Sequence, residues 1–311
     1  MTKVVKKKYR LKKKPLVILL ICITLLTTTI ISKDKEKNYK ENSKVVTKKT
    51  SNKKMTNKEK KLNELENIDK KISYFNYSYL NRYLKYHKKN PNLKIEDVII
   101  RVNIGIDNDY YTNTKKTPYL NKSYILINKY YYAGETYIPE NLETIDKKYA
   151  RDGMKLVSYA KDAFEKMASD AKKKDLNIIA MSSYRSYNYQ VNLYNKYAKS
   201  DGKKAADTYS ARPGFSEHQT GLATDIYNGK EDYTNFEKTK EFEWMQKNAH
   251  KYGFILRFPS DKTDLTGYVY ESWHYRYVGT KIATYMKKNN LCFEEYYAKK
   301  IENQLEFWFS F

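Results

Sequence analysis

The sequence predicts an α+β domain in which helices flank a small antiparallel sheet, preceded by a membrane-anchoring segment and a tether. Apolar residues recur at helical spacing in the second half of the chain, and short β-branched runs lie between these stretches. The N-terminal part contains one long uncharged run and otherwise little apolar content. A chain of 311 residues with 41% hydrophobic content is long enough for one buried core with appendages.

The first 32 residues predict the compartment. Residues 1–14 are basic and acid-free, and residues 15–32 carry no charge: PLVILLICITLLTTTIIS. This run approaches the roughly 20 residues needed to cross a bilayer and is followed by no A-x-A-like cleavage site. We therefore favour an uncleaved signal anchor over a cleaved signal peptide. The basic N-terminus is expected to stay in the cytoplasm, so the remainder is extracellular and attached to the cell membrane.

Residues 33–61 are rich in lysine, asparagine, serine and threonine, which predicts a disordered tether. The formal net charge of +24 would attract polyanions, including acidic wall polymers. Nucleic acid is not an expected partner, because no groove-reading motif accompanies the charge. Cys22 lies in the uncharged run and lacks the preceding small residue of a lipidation site, so neither a lipid anchor nor a disulfide with Cys292 is predicted.

Residues 62–146 form a tyrosine-rich extension or small subdomain. Its predicted elements are a helix over 74–87, ended by Asn90 and the following proline, and strands over 98–104 and 124–127. The sequence leaves two roles open for this region: it orients substrate or contacts the cell wall, or it is a structural extension that packs on the core.

Residues 147–311 form the predicted catalytic domain. Strands are expected over 177–181 and 221–226, and a helix is expected to start near Tyr187. A further helix ends at Gly253. Another is predicted from apolar residues at helical spacing, Leu156, Val157, Ala160, Ala163, Phe164, Met167, Ala168 and Ala171.

The chain has only four histidines, and two of them lie beside carboxylates in polar motifs. His218 and Asp225 belong to one motif, and Glu271 and His274 belong to the other. Two imidazoles and one carboxylate can hold a zinc ion that keeps an open position for water, with Glu271 as the base. His250 lies on a predicted helix and is expected to be structural.

Geometry places conditions on this site. Residues three apart on a straight strand point to opposite faces, so a bend or helical turn at Ser272 must bring Glu271 and His274 together. Arg185 follows a predicted strand and can project into a cleft, where its guanidinium would suit a carboxylate or a developing oxyanion. A structural salt bridge is the alternative role for Arg185.

These motifs resemble those of the zinc D,D-carboxypeptidases that trim peptidoglycan stem peptides, the VanY or D-alanyl-D-alanine carboxypeptidase family. The family pattern S-x-H-x-x-G-x-A-x-D corresponds here to residues 216–225, and E-x-W-H corresponds to residues 271–274. The S-G-Y-R-S segment corresponds to residues 182–186. Two residues depart from the common pattern: Ser183 replaces a glycine and Ser272 replaces a proline.

The resemblance implies a D,D-peptidase fold, also called hedgehog-like, and a role for each matched residue. His218, Asp225 and His274 would bind Zn²⁺, and Glu271 would be the catalytic base. Arg185 would stabilise the oxyanion or hold the peptide carbonyl. The resemblance further implies that the terminal carboxylate of the peptidoglycan stem peptide is contacted by Gln190 and Ser216.

Three alternatives remain at this point. The same fold cleaves an L,D bond in a tetrapeptide stem or an internal cross-link in related zinc peptidases. A catalytically silent wall-binding module would keep zinc for structure, although such sites usually close the fourth metal position with another protein ligand. An anion-binding surface protein would hold no zinc at all.

Overall fold

The computed structural model describes residues 72–230 and 232–302. Over these ranges the chain forms an α+β structure around a four-stranded antiparallel sheet, as predicted. The predicted cytoplasmic segment, signal anchor and tether lie outside the described residues. In the part of the chain that the structure describes, no helix has both the length and the apolar character needed to cross a membrane.

Helices and short strands alternate along the chain. In chain order they are α1 Leu80–Lys89, α2 Ile95–Asn103, β1 Lys115–Lys116, β2 Tyr131–Tyr132, β3 Leu142–Thr144, β4 Lys155–Val157, α3 Ser158–Lys172, β5 Ile179–Ser182, α4 Tyr187–Asp201, α5 Lys203–Tyr209, β6 Ala223–Tyr227, α6 Lys240–Asn248, β7 Phe254–Leu256, α7 Thr263–Thr266, β8 His274–Tyr277, α8 Thr280–Asn289 and α9 Phe293–Lys300. Short 3₁₀ helices lie at Tyr77–Tyr79, Glu217–Thr220, Tyr233–Lys238, Ala249–Tyr252 and Ser260–Lys262.

The main sheet has the strand order β5-β6-β8-β7, and all neighbouring strands are antiparallel. The strands predicted over 177–181 and 221–226 are confirmed as β5 and β6, with boundaries shifted by one or two residues. In the register of this sheet, Asp225 of β6 pairs with His274 of β8. The sheet therefore brings together two residues that are far apart in the sequence.

Helix α3 covers one side of this sheet, and its prediction from apolar spacing is confirmed. Its buried face is formed by Ala160, Phe164, Met167, Ala168 and Ala171. Leu156 and Val157, which the same pattern included, belong instead to the short strand β4 and are also buried. The apolar repeat therefore continues across the strand–helix junction without a break in the core.

The helix predicted to end at Gly253 is also confirmed, as α6 followed by the 3₁₀ helix Ala249–Tyr252. Gly253 has φ +87°, a left-handed conformation that side chains rarely adopt. A Cβ atom there would lie 2.8 Å from the Tyr277 ring and 3.0 Å from the Gly279 backbone. The glycine thus lets the chain reverse tightly into β7.

The strand prediction over 98–104 was wrong, because these residues form most of helix α2. Their β-branched content favours a strand, but the helix buries apolar side chains in two directions. Val98, Ile99 and Val102 pack with Tyr83 of α1, whereas Ile100 and Ile104 pack with Ala298 of α9. Tertiary packing therefore outweighs intrinsic propensity here.

The helix predicted over 74–87 begins later than expected, since the 3₁₀ helix Tyr77–Tyr79 precedes α1. Its predicted end is confirmed, because Asn90 is the C-terminal cap of α1.

The strand prediction over 124–127 was also wrong, because this segment is a buried loop without a strand partner. One of its carbonyl groups is paired with a side chain: Arg276 Nη2 donates to Ile125 O at 2.7 Å and to the preceding Ser123 O at 3.0 Å. Ile125 and Ile127 enter the same core as α3, and Leu126 packs with residues of α8 and α9. A buried arginine therefore satisfies part of the backbone of this loop.

We expect truncation of Phe164 to cause a large loss of stability. Its side chain is fully buried, and its ring lies edge-on to that of Phe254 with the ring centroids 6.1 Å apart. Phe164→Ala should lower the free energy of unfolding by about 3–5 kcal/mol, because it removes buried apolar surface and leaves a cavity. Denaturant unfolding monitored by circular dichroism measures this. The matched control is Ile138→Ala, whose side chain is 68% exposed and whose change should stay within about 0.5 kcal/mol. Equal losses in the two variants would contradict this account of the core.

Candidate active site

The two sequence motifs meet at the centre of the main sheet. The 3₁₀ helix Glu217–Thr220 carries His218, and Gly221 reverses the chain into β6, which carries Asp225. Gly221 has φ +66°, and a Cβ there would lie 2.7 Å from Leu142. This turn is what allows His218 and Asp225, seven residues apart, to approach each other.

His218 is held in one orientation by its backbone surroundings. Its Nδ1 lies 2.6 Å from the carbonyl oxygen of Ser183, an atom that can only accept a hydrogen bond. Nδ1 must therefore carry the proton, which leaves the lone pair on Nε2. That Nε2 lies 3.4 Å from Asp225 Oδ1 and is buried without a hydrogen-bond partner among the described residues.

His274 approaches the same carboxylate from the other strand. Its Nδ1 lies 3.2 Å from Asp225 Oδ1 and 3.4 Å from Glu271 Oε2. The predicted bend is present: residues 272–273 form a turn in which His274 N donates to Glu271 O at 3.3 Å. This turn places Glu271 and His274 on the same side of the chain.

The three donor atoms fit a zinc ion. One ligand atom each from His218, Asp225 and His274 lie within 4.8 Å of one another, and all three residues are buried. A tetrahedral zinc ion with bonds of about 2.0–2.1 Å holds its ligand atoms about 3.3 Å apart. The two distances to Asp225 Oδ1, 3.4 Å and 3.2 Å, agree with that spacing. Buried, unpartnered His218 Nε2 and Asp225 Oδ1 also have the chemistry of metal donors.

The protonation states of these groups determine how many protons a bound cation would displace. Burial lowers the pKa of His218 to about 4, with Arg185 adding to the effect. Burial opposes a charge on His274 as well, but Asp225 and Glu217 outweigh it and raise the His274 pKa to about 9. The pKa of Asp225 stays well below its usual range, because its imidazole neighbours outweigh its burial. A divalent cation would therefore displace a single imidazole proton from the site.

Glu271 differs from Asp225 in its electrostatics. Burial raises the pKa of Glu271 to about 7; His274 opposes the rise, and the carboxylates of Asp225 and Glu217 add to it. A carboxylate with a pKa near the working pH is suited to accept and return a proton. Glu271 is thus distinguished chemically from the carboxylate in the ligand set.

The remaining predicted residues line one cleft of about 440 Å³ next to the ligand set. Arg185 Nη2 lies 3.9 Å from Asp225 Oδ2, and its Nε is buried with no hydrogen-bond partner in the part of the chain that the structure describes. Gln190 Nε2 donates to Ala211 O at 2.8 Å, which leaves a second N–H and Oε1. Ser216 is buried in the cleft wall. The structure therefore brings all seven predicted site residues together, and their roles remain predictions.

The two departures from the family pattern have different surroundings. Ser183 Oγ lies 3.0 Å from Thr224 Oγ1, so its hydroxyl ties β5 to β6 beside the carbonyl that holds His218. Ser272 Oγ is buried and has no hydrogen-bond partner within residues 72–230 and 232–302. The serine at 183 therefore adds a contact, whereas the structure gives no comparable contact for the serine at 272.

Sequence reasoning missed a buried charged network behind the site. It consists of Glu217, Arg257, Arg276 and Glu294, all less than 5% exposed. The signal was available, because Arg257 and Arg276 interrupt apolar runs that predict buried strands, and a buried charge needs a partner. The sequence alone does not say which carboxylates are those partners.

The comparisons with known proteins decide the family. YodJ of Bacillus subtilis (strain 168) is 39% identical over 214 residues, which cover 63% of this chain and 76% of YodJ. The family model described as VanY, D-alanyl-D-alanine carboxypeptidase, matches residues 153–280. The chain belongs to the VanY D-alanyl-D-alanine carboxypeptidase family.

Solved structures agree with this family assignment. The LdcB LD-carboxypeptidase structure has a TM-score of 0.54 at 38% identity and covers 62% of this chain and 94% of LdcB. The structure of VanYB in complex with D-Alanine-D-Alanine has a TM-score of 0.51 at 31% identity and covers 57% of this chain and 98% of VanYB. The α+β fold seen here is therefore that of VanY and LdcB peptidases.

The ligand geometry predicts that zinc binding depends on His218. His218→Ala should weaken zinc binding by at least about 100-fold, because one of three buried ligands is lost. Competition with a chromophoric chelator measures the affinity. His250→Ala is the matched control: His250 lies in the 3₁₀ helix Ala249–Tyr252, outside the ligand set, and its loss should leave the affinity unchanged. Equal affinities in the two variants would exclude His218 as a ligand.

Proposed function

We propose that this chain is a zinc-dependent D,D-carboxypeptidase that removes the terminal D-alanine from peptidoglycan stem peptides. The observation that carries the proposal is the convergence of His218, Asp225 and His274, with the separate carboxylate of Glu271 beside them in a cleft. Membership of the VanY family supports the substrate class.

The proposed chemistry divides between the metal and the protein side chains. When bound, zinc lowers the pKa of a coordinated water and polarises the scissile carbonyl. Glu271 accepts a proton from the water as the water attacks the carbonyl carbon of the last peptide bond. It then returns this proton to the amine of the departing D-alanine. Burial raises the pKa of Glu271 to about 7 in the metal-free site, which makes this carboxylate a stronger base than an exposed one.

Arg185 supplies the fixed positive charge of the proposed site. Its guanidinium can stabilise negative charge on the carbonyl oxygen during attack. Gln190 and Ser216 lie on the same cleft wall and are proposed to contact the terminal carboxylate. Both offer donors for this: a second N–H on Gln190 and the Ser216 hydroxyl.

A second candidate activity has its own support. The LdcB structure, similar at a TM-score of 0.54, is that of an LD-carboxypeptidase. Removal of D-alanine across an L,D bond of a tetrapeptide stem would use the same metal ligands and the same base. The difference between the two activities lies in how the cleft accepts the residue before the terminal D-alanine.

Product analysis distinguishes these activities. The purified full-length chain, in detergent with added zinc, is incubated with a pentapeptide stem ending in D-Ala-D-Ala and, separately, with the tetrapeptide. We expect mass spectrometry to show the loss of one alanine from the pentapeptide, abolished by a chelator and restored by zinc. Cleavage of the tetrapeptide alone would support the second candidate, and two intact peptides with zinc bound would contradict both.

The role of Glu271 predicts a separation of metal binding from turnover. Glu271→Ala should retain zinc and lower kcat by about 10²–10⁴-fold, because general acid–base catalysis is removed while the three ligands remain. Chelator competition and steady-state kinetics on the same preparation measure the two quantities. Glu237→Ala provides a control carboxylate outside the cleft lining. Loss of zinc from Glu271→Ala would identify Glu271 as a ligand instead of a base.

We also propose the location and domain division predicted by the sequence: a cytoplasmic segment at 1–14, a signal anchor at 15–32, a tether at 33–61, an extension at 62–146 and an extracellular catalytic domain at 147–311. Stem peptides lie outside the cytoplasmic membrane, so the proposed activity requires export. The full-length chain should stay in the membrane pellet after alkaline carbonate extraction. Leu20→Arg with Ile23→Arg, which breaks the apolar run, should release it; recovery of both proteins in the supernatant would contradict the anchor.

A further inference from the structure

Glu217 occupies the position that the family pattern leaves open between the serine and the first histidine. Its side chain is buried, and its two carboxylate oxygens have different surroundings. Oε1 accepts hydrogen bonds from Arg257 Nε and from Arg276 Nη1, both at 2.8 Å. Oε2 has no hydrogen-bond partner among the residues that the structure describes, and it lies 3.5 Å from His274 Nε2.

His274 Nε2 is likewise buried without a hydrogen-bond partner in the described part of the chain. The separation of 3.5 Å exceeds the usual length of an N–H···O bond. However, two unpartnered buried polar atoms that face each other are complementary, because an imidazole N–H can donate and a carboxylate can only accept. Buried polar groups left unpaired would cost free energy, so this pairing is the one that the site favours.

Glu217 is itself held firmly. Arg257 donates to Glu294 through Nη1 at 2.8 Å and Nη2 at 2.5 Å, which is a bidentate pair. Arg276 donates to the backbone oxygens of Ser123 and Ile125. The two arginines therefore fix Glu217 Oε1, and the direction of Oε2 toward His274 follows from that.

We propose that Glu217 is a positioning residue that holds His274 as the Nε2–H tautomer and so presents the Nδ1 lone pair to the metal. A histidine ligand commonly donates its second ring N–H to a carboxylate, and this sets which nitrogen binds the metal. Here Nδ1 is the nitrogen that faces Asp225 Oδ1, at 3.2 Å. The inference rests on the proposed zinc site, and it assigns a residue that the ligand motif does not include.

The network also extends the site beyond the matched family region. Glu294 lies on α9, outside residues 153–280, and it holds the arginine that holds Glu217. A path of direct contacts thus runs from the C-terminal helix through Arg257 and Glu217 to His274. Helix α9 therefore supports the buried network behind the site without contacting the cleft.

Glu217→Gln is the sharpest test. It keeps the shape of the side chain but replaces the acceptor that faces His274 Nε2 with a donor. The glutamine Oε1 must still accept from the two arginines, so its NH₂ group faces His274 Nε2 and donates to it. That favours the Nδ1–H tautomer, in which the ligand nitrogen carries a proton. We expect zinc affinity to fall by about 10–100-fold in chelator competition.

Nitrogen NMR supplies a readout that a purely structural role would not change. The chain has only four histidines, so selective ¹⁵N-histidine labelling gives a spectrum that single His→Asn variants can assign. In the zinc-loaded unmodified protein, His274 should be protonated at Nε2 and metal-bound at Nδ1. In Glu217→Gln, the signal of the Nε2–H tautomer should weaken or disappear.

Glu294→Gln is the matched control, because it weakens the same buried network without contacting His274. It should lower stability while leaving the His274 tautomer unchanged and the zinc affinity closer to that of the unmodified protein. Equal loss of affinity in both variants with an unchanged tautomer would overturn the proposal. If Glu217→Gln does not fold, protonation of His274 at Nδ1 in the zinc-loaded unmodified protein overturns it by itself. A protein that binds no zinc would instead contradict the proposed function.

Discussion

The register between β6 and β8 is the constraint on which the site depends, because it sets Asp225 directly opposite His274. Paired residues on neighbouring strands lie within reach of each other's side chains, and a shift of one residue would send each side chain to the opposite face. The oxygen Asp225 Oδ1 would then lose the imidazole of His274, which the neighbouring strand supplies. Two turns complete the site around this pair: the reversal at Gly221 brings His218 to Asp225, and the turn at residues 272–273 places Glu271 beside His274.

Burying the charges behind the site costs free energy, which the fold offsets by pairing each arginine with a carboxylate. Arg257 and Arg276 are fully buried, and each is matched by a carboxylate and by further acceptors. Removing one member of such a network leaves an uncompensated buried charge, which costs about 3–5 kcal/mol. An apolar cluster in the same place would cost less to build, but it would not place a carboxylate oxygen beside His274. The arrangement of the network is therefore better suited to positioning the Glu217 carboxylate than to stabilising the fold.

The sequence predicted which side chains lie together in the candidate site better than it predicted the surrounding fold, and the reason is physical. His218, Asp225, Glu271 and His274 carry rare side chains in short motifs, so their chemistry can be read without coordinates. Helix α3 could be predicted because one apolar face repeats at 3.6 residues. Residues 98–104 could not, because the helix is buried on two sides and its β-branched side chains mimic a strand.

The loop at 124–127 could not be predicted for a different reason, which also explains why Glu217 was missed. The Ile125 carbonyl of this loop accepts a hydrogen bond from Arg276, about 150 residues later in the sequence, and no local pattern records such a partner. The same arginine holds Glu217. One side chain thus connects the loop at residues 123–125 to the candidate metal site. Contacts of this kind depend on the complete fold, so a motif can name the ligands while the residues that orient them appear only in three dimensions.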